Sequence, residues 1–219
     1  MNTLAADCDT VLVAGPTLSG RRRLLHRTLY DRAGGSLLVA TRQPADDARE
    51  THRRLRPDDA PDDADGGSAD GDSPVVVDCV TNAFEHSTDD TRRTRYAQHP
   101  SNLTSIGTTF TEVIEAREEQ SLAVGIETVS PLLVYADTTD VYRFLDLVVR
   151  QATDVGWPVT AGIDTAAHDD RTVEQFVTLF DAVVRTRYVD GERQYRLQRP
   201  ERTDWRPVYP EVGDAEPER

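Results

Sequence analysis

The segment Gly15-Pro16-Thr17-Leu18-Ser19-Gly20-Arg21-Arg22 has the glycine spacing of G-x-x-x-x-G-K-[ST]. In that motif, backbone N–H groups and a helix N-terminus cradle phosphates. The two positions that carry its chemistry are changed. A lysine there reaches the β- and γ-phosphates and a Ser or Thr hydroxyl holds Mg²⁺; here Arg21 takes the lysine place and Arg22 the hydroxyl place. Arginine keeps the charge but is larger and planar, and a side chain without oxygen cannot bind Mg²⁺. The segment reads either as an ordinary βα turn or as an anion site, with two adjacent arginines at a helix N-terminus.

Other reactive residue types offer less. His26, His52, His86, His99 and His168 are scattered without ligand spacing, which predicts solvated or locally bonded rings and no metal site. No G-x-S-x-G elbow surrounds Ser19, Ser105 or Ser130, so a hydrolase triad has no support. Cys8 and Cys79 are far apart with no C-x-x-C, which fits small core residues in a reducing cytosol.

The elements that must position the loop alternate in type. Residues 10–14 (TVLVA) form a buried strand, and a helix over about 21–32 puts Leu24, Leu25, Thr28 and Leu29 on one face until Gly34-Gly35 stops it. A strand at 36–41, a short polar helix at 45–55 and a strand at 75–80 follow; 82–99 is polar and shows no clear period. A helix at 103–119 leads to a strand at 122–126 ending in Glu127-Thr128. A helix at 141–155, capped by Gly156, leads to a strand at 157–163 ending at Asp164. Asp169 or Asp170 caps a helix carrying Val173, Phe176, Val177 and Phe180. Residues 182–189 and 194–197 form a hairpin turning at Asp190-Gly191. Such alternation is that of βαβ units around a parallel sheet.

Residues 57–74 (PDDAPDDADGGSADGDSP) have no basic and almost no apolar side chains, which predicts a disordered acidic loop. The Pro- and charge-rich tail from Pro200 is expected to fray. The chain has 219 residues, enough for one α/β domain over 1–199 with a tail at 200–219. Net charge is −14, and all 25 basic residues are Arg. That balance disfavours an electrostatic grip on nucleic acid or anionic lipid. An Asp-rich, lysine-free chain looks like the product of a halophile, whose surface carboxylates hold water in molar salt. The N-terminus has no basic region before its short apolar run, and no stretch is long enough to span a bilayer, so a cytoplasmic protein is expected.

The blocks SLAVGIETVSPLLVY, DTTDVYRFLDLVVRQATDVGWPVTAGID and HDDRTVEQFVTLFDAVVRTRYVDGERQYRLQRP resemble the RecA/KaiC-type P-loop ATPases, especially KaiC- and GvpD-like proteins of haloarchaea. The resemblance runs from about Thr10 to Arg199, leaving out the acidic loop. It implies an α/β fold, a three-layer αβα core with a mainly parallel sheet and a C-terminal β-hairpin. It makes 122–127 the Walker B strand, with Glu127-Thr128 matching an Asp-Ser pair, and puts the strand 159–164 between it and the phosphate-loop strand. Asp164 falls at a sensor position.

Active relatives end the second strand in a Glu pair that polarises the attacking water, whereas this chain has Thr41-Arg42. Lysine, metal hydroxyl and catalytic carboxylate are all replaced, which argues against hydrolysis. Glu127 either holds a metal through water or is a strand-end capping or surface carboxylate. The candidate nucleotide-binding residues are Gly15, Pro16, Thr17, Leu18, Ser19, Gly20, Arg21, Arg22, Glu127 and Asp164, with ATP or ADP as the ligand and Mg²⁺ disfavoured. Arg185-Thr186-Arg187 and Arg196 to Arg199 lie near where oligomeric relatives send a basic residue into a neighbour's nucleotide, or are a solvated edge-strand face.

The expected function is a catalytically degenerate regulatory or interaction module with a protein partner or a second copy of itself. Alternatives are an active ATPase in which Arg21 replaces Lys, and a recombinase-related nucleic-acid accessory protein. The acidic balance and the lack of an aromatic-basic stripe oppose the last.

Overall fold

The computed structural model describes residues 7–32, 34–57, 73–84 and 88–209. In chain order the elements are β1 (Thr10–Gly15), α1 (Arg21–Tyr30), β2 (Ser36–Ala40), α2 (Ala45–Arg54), β3 (Val75–Asp78), α3 (Thr81–Phe84), β4 (Thr94–Tyr96) and α4 (Leu103–Glu115). The second half continues with β5 (Ala123–Ile126), α5 (Leu132–Tyr135), α6 (Thr138–Asp154), β6 (Val159–Asp164), α7 (Asp170–Val177), β7 (Ala182–Val189), β8 (Glu192–Arg199) and β9 (Arg206–Pro207).

The strands form one sheet in the order β4-β3-β2-β5-β6-β1-β7-β8-β9. Pairing is parallel from β4 through β7, and β8 and β9 are added antiparallel. β1, β2 and β5 are buried at every position because both faces of the sheet are covered. In β1, Val11 and Val13 face the side packed by Leu24, Leu25 and Leu29 of α1 and Ala45 and Ala48 of α2. Leu12 and Ala14 face Ile106 and Phe110 of α4, Leu145 and Val148 of α6 and Phe176 of α7. Each large side chain so buried stabilises the fold by roughly 1.5–3 kcal/mol. The expected αβα layering, the placement of β6 between β5 and β1, and the closing hairpin are all present.

Two regions depart from the sequence reading. The polar stretch 82–99 contains β4, whose Thr94, Arg95 and Tyr96 pair with Val76, Val77 and Asp78. Fully buried Asp78 organises this corner. Its carboxylate accepts hydrogen bonds from Ala45 N at 2.7 Å, Val80 N at 2.8 Å, Thr81 N at 2.9 Å and Thr81 Oγ1 at 2.7 Å. This ends β3 at Asp78 rather than Val80 and supplies the N-terminal cap that Pro44 cannot give α2.

The second departure is the tail. It does not fray at Pro200: β9 pairs with β8, and Val208 is buried in the core on the α1 side. Residues 210–219, and 58–72 of the expected acidic loop, lie outside the described residues. Among the described residues no helix is long and apolar enough to cross a membrane.

Candidate functional site

Parallel strands deliver their C-terminal ends to one edge of the sheet, where α/β proteins hold ligands. Here that edge gathers Gly15 (β1), Arg42 (after β2), Glu127 (after β5) and Asp164 (β6). The loop from Gly15 to Gly20 is fitted tightly to its neighbours. A Cβ on Gly15 would lie 1.8 Å from Thr186 Oγ1 and 2.7 Å from the Thr186 carbonyl, so β7 admits only glycine there. Gly20 has φ +90°, and a Cβ on it would meet Val208 at 2.9 Å. Gly20 gives α1 no side-chain cap, so the first N–H groups of the helix, which have no intrahelical acceptor, receive none from the capping residue.

Leu18 is left-handed at φ 67°, a conformation that costs a non-glycine residue about 1–2 kcal/mol. Arg193 of β8 braces it, donating from Nε to the Leu18 carbonyl at 2.8 Å. Ser19 is fully buried and turned inward: its hydroxyl donates to the Pro16 carbonyl at 2.7 Å and lies 2.5 Å from Thr186 Oγ1. Thr17 Oγ1 donates to Asp164 Oδ2.

Above the loop is a cleft of about 250 Å³ lined by Pro16, Thr17, Leu18 and Gly20, by Arg21, Arg22 and Arg23 of α1, and by Arg42, Leu55, Glu127, Thr128, Arg193 and Tyr209. Five arginines thus face one carboxylate in a chain whose net charge is −14. Their pairing is incomplete. Arg21 Nη2 lies 3.7 Å from Asp164 Oδ2, while its Nη1 is buried without a hydrogen-bond partner. Burial holds Arg21 below its ordinary pKa, partly offset by Asp164. At Asp164, burial raises the pKa, but the hydrogen bonds from Thr17 and the Ala166 N–H, together with Arg21, hold it below the ordinary value.

Arg22 Nη1 lies 4.0 Å from Glu127 Oε1. The Glu127 side chain is 7% exposed, and neither carboxylate oxygen has a partner within ordinary hydrogen-bond geometry, although the backbone N–H of Arg42 pulls on it. Burial pushes its pKa up to about 6, against the pull of Arg22 and Arg42. Glu127 is therefore not a surface carboxylate.

Of the ten candidate residues, Pro16, Thr17, Leu18, Gly20, Arg21, Arg22 and Glu127 line the cleft. Gly15 and Ser19 support the loop from beneath, and Asp164 anchors Thr17 and Arg21. Arg193 and Tyr209 went unseen in the sequence. Tyr209 stacks against Arg23, whose guanidinium carbon is 4.6 Å from the ring centre, and against Arg193 at 5.7 Å. The other hairpin arginines are engaged elsewhere. Arg185 bonds Glu174 and Gln198, Arg187 and Arg196 each lie against the Trp205 ring, and Arg199 Nη1 donates to the Val177 carbonyl at 3.4 Å.

Of the histidines expected to be solvated or locally bonded, two bond each other, and His86 lies outside the described residues. His26 and His52 are both buried, with their Nδ1 atoms 2.8 Å apart. Burial lowers the pKa of His26 well below the ordinary value, and burial with Arg56 lowers His52 to about 4. His26 Nε2 has no hydrogen-bond partner, and His26, Gln43 and Glu127 are among the residues bordering a void of about 10 Å³, about the space of one water. Among the described residues no cluster of three or more His, Cys, Asp or Glu could hold a metal ion.

The model of a family of unknown function, DUF7504, matches residues 9–186. Solved structures with the same fold include an uncharacterized protein from Pyrococcus horikoshii, PH0321, determined in complex with an unknown peptide. Its TM-score is 0.61 at 11% identity, over 87% of this chain and 83% of that one. The KaiC-like protein PH0186 from Pyrococcus horikoshii OT3 gives a TM-score of 0.55 at 12% identity, over 86% of this chain and 77% of that one. No curated protein matches the chain. At these identities the likeness shows the fold, which is that of RecA/KaiC-like proteins.

Proposed function

We propose that this chain, which belongs to the DUF7504 family, is a phosphate-binding regulatory module on a RecA/KaiC-type fold. It holds a nucleoside di- or triphosphate in the arginine cleft without hydrolysing it, and presents its bound and free forms to a protein partner. The observation that carries this reading is the convergence of five arginines and an uncapped helix N-terminus on one cleft containing a single carboxylate. Such a place favours a multiply charged anion over a neutral ligand.

Binding without turnover is supported by what the carboxylates do. Hydrolysis needs a group that positions and deprotonates water. Asp164 is spent on Thr17 and Arg21, the end of β2 offers Arg42 in place of an acid, and Glu127, the one carboxylate left in the cleft, faces Arg22 at 4.0 Å with Arg42 beside it. The all-arginine, acidic composition supports a working environment of molar salt inside a halophilic cell.

Thermal unfolding in molar KCl, with and without millimolar ADP or ATP, tests the reading. A ligand at 100 times its Kd adds about 2.7 kcal/mol, which for a chain of this size raises Tm by roughly 5–11 °C. No shift with either nucleotide, or steady phosphate release from ATP, contradicts it.

A further inference from the structure

The fold family implies Mg²⁺ beside a bound nucleotide, and the donor set here does not fit it. Mg²⁺ demands oxygen ligands in near-octahedral geometry, drawn from carboxylates, hydroxyls, water and substrate phosphates. The loop hydroxyls are turned away or taken: Ser19 faces the Pro16 carbonyl and Thr186, and Thr17 bonds Asp164. At the first turn of α1, where a metal-binding hydroxyl would stand, is Arg22. Its guanidinium lies 4.0 Å from the one cleft carboxylate, Glu127. A divalent cation would have to displace that guanidinium while remaining close to Arg21, Arg23, Arg42 and Arg193. Each such like-charge contact is repulsive, and more so in a partly buried cleft than in water.

We infer that the cleft takes its polyphosphate free of metal, with the Arg22 guanidinium standing in the place and charge role of Mg²⁺. The inference rests on the phosphate-binding reading and narrows its ligand to the uncomplexed anion, such as free ADP. Glu127 then serves as a positioning residue: it holds Arg22 at the mouth of the cleft. Arg22, with its side chain 39% exposed, is free to swing onto a phosphate oxygen and form the charge-assisted bonds that guanidinium geometry favours.

The test is calorimetric titration of ADP into the full chain in molar KCl, once with EDTA and once with enough Mg²⁺ to complex nine-tenths of the ADP. The expected result is one site per chain and an apparent Kd about tenfold weaker with magnesium, since only the free anion binds. Equal or tighter binding with magnesium overturns the inference while leaving the phosphate reading intact. Binding in neither condition overturns both. Arg22→Ser, which returns a hydroxyl to this position and releases Glu127, is expected to lose about tenfold in metal-free affinity and no longer to be weakened by magnesium. If R22S keeps the wild-type response to magnesium, Arg22 does not fill the metal's place.

Discussion

Replacing Glu127 with Gln should stabilise the protein, and only above the pH where the carboxyl ionises. In the folded chain burial lifts this carboxyl from 4.5 to about 6, and each pKa unit is worth 1.36 kcal/mol. A raised acid pKa means the folded state binds the proton more tightly than the unfolded state does. Stability therefore falls as pH rises from about 4.5 to about 6, and the full cost of about 2 kcal/mol persists above that. Glutamine matches the neutral acid in shape and cannot ionise. E127Q is expected to gain up to about 2 kcal/mol at pH 8, or roughly 4–8 °C in Tm, and nothing at pH 4.5. The attraction of Arg22 is already included in the net shift, and that side chain can turn to water when its partner loses charge. The assay is urea unfolding of both proteins at pH 8 and 4.5 in the same molar KCl. Destabilisation of E127Q at pH 8, or a gain that does not change with pH, would refute the view of Glu127 as a carboxylate buried at a cost beside the arginine cleft.

The buried histidine pair should act in the opposite direction. A neutral His52 with a pKa of about 4 loses roughly 3 kcal/mol of stability as pH falls from 6.5 to 4, and His26 is lowered as well, so the double variant His26→Leu and His52→Leu is expected to lose at least that much less on acidification than wild type. An unchanged acid slope in urea titrations contradicts this. Gly15→Ala places a methyl 2.7 Å from the Thr186 carbonyl, which cannot turn away. A loss of about 1–3 kcal/mol is expected by thermal unfolding, and a neutral result would mean that the contact between β1 and β7 is looser than described. Burial pushes up both thiols, with Asp181 adding to the effect at Cys8, but Cys79 is fully buried while Cys8 is half-buried and open to reagent. Mass spectrometry after iodoacetamide at pH 8 should find Cys8 modified and Cys79 untouched until denaturant is added.

Much of the fold was legible because its determinants are local. The apolar runs of β1, β2, β5 and β6 announce two-sided burial, Asp190-Gly191 announces the hairpin, and Asp169 caps α7 by accepting from Thr172 N at 2.7 Å. β4 was hidden because Thr94, Arg95 and Tyr96 carry no apolar alternation; backbone pairing to β3 and the Asp78 corner hold it in place. The loop and its two arginines were legible from spacing. The rest of the cleft was not, because Arg193 reaches Leu18 across 175 residues of sequence and Val208 sits in a tail whose composition suggests fraying. The positive φ of Leu18 likewise has no signal in its own side chain, and the arginine that bonds its carbonyl lies far away in sequence. His26 and His52 looked unrelated because only the packing of α1 against α2 joins them.

The claim at the centre of this account is that the arginine cleft is a phosphate site without turnover. Equilibrium dialysis of radiolabelled ADP in molar KCl with EDTA, comparing the wild-type chain with Arg21→Ala, tests it most directly when folding is verified by circular dichroism. The account predicts one ADP per wild-type chain and a loss of about tenfold or more in affinity for R21A, as expected when a charge-assisted contact is removed. No retained ADP, or equal retention by the two proteins, would contradict it.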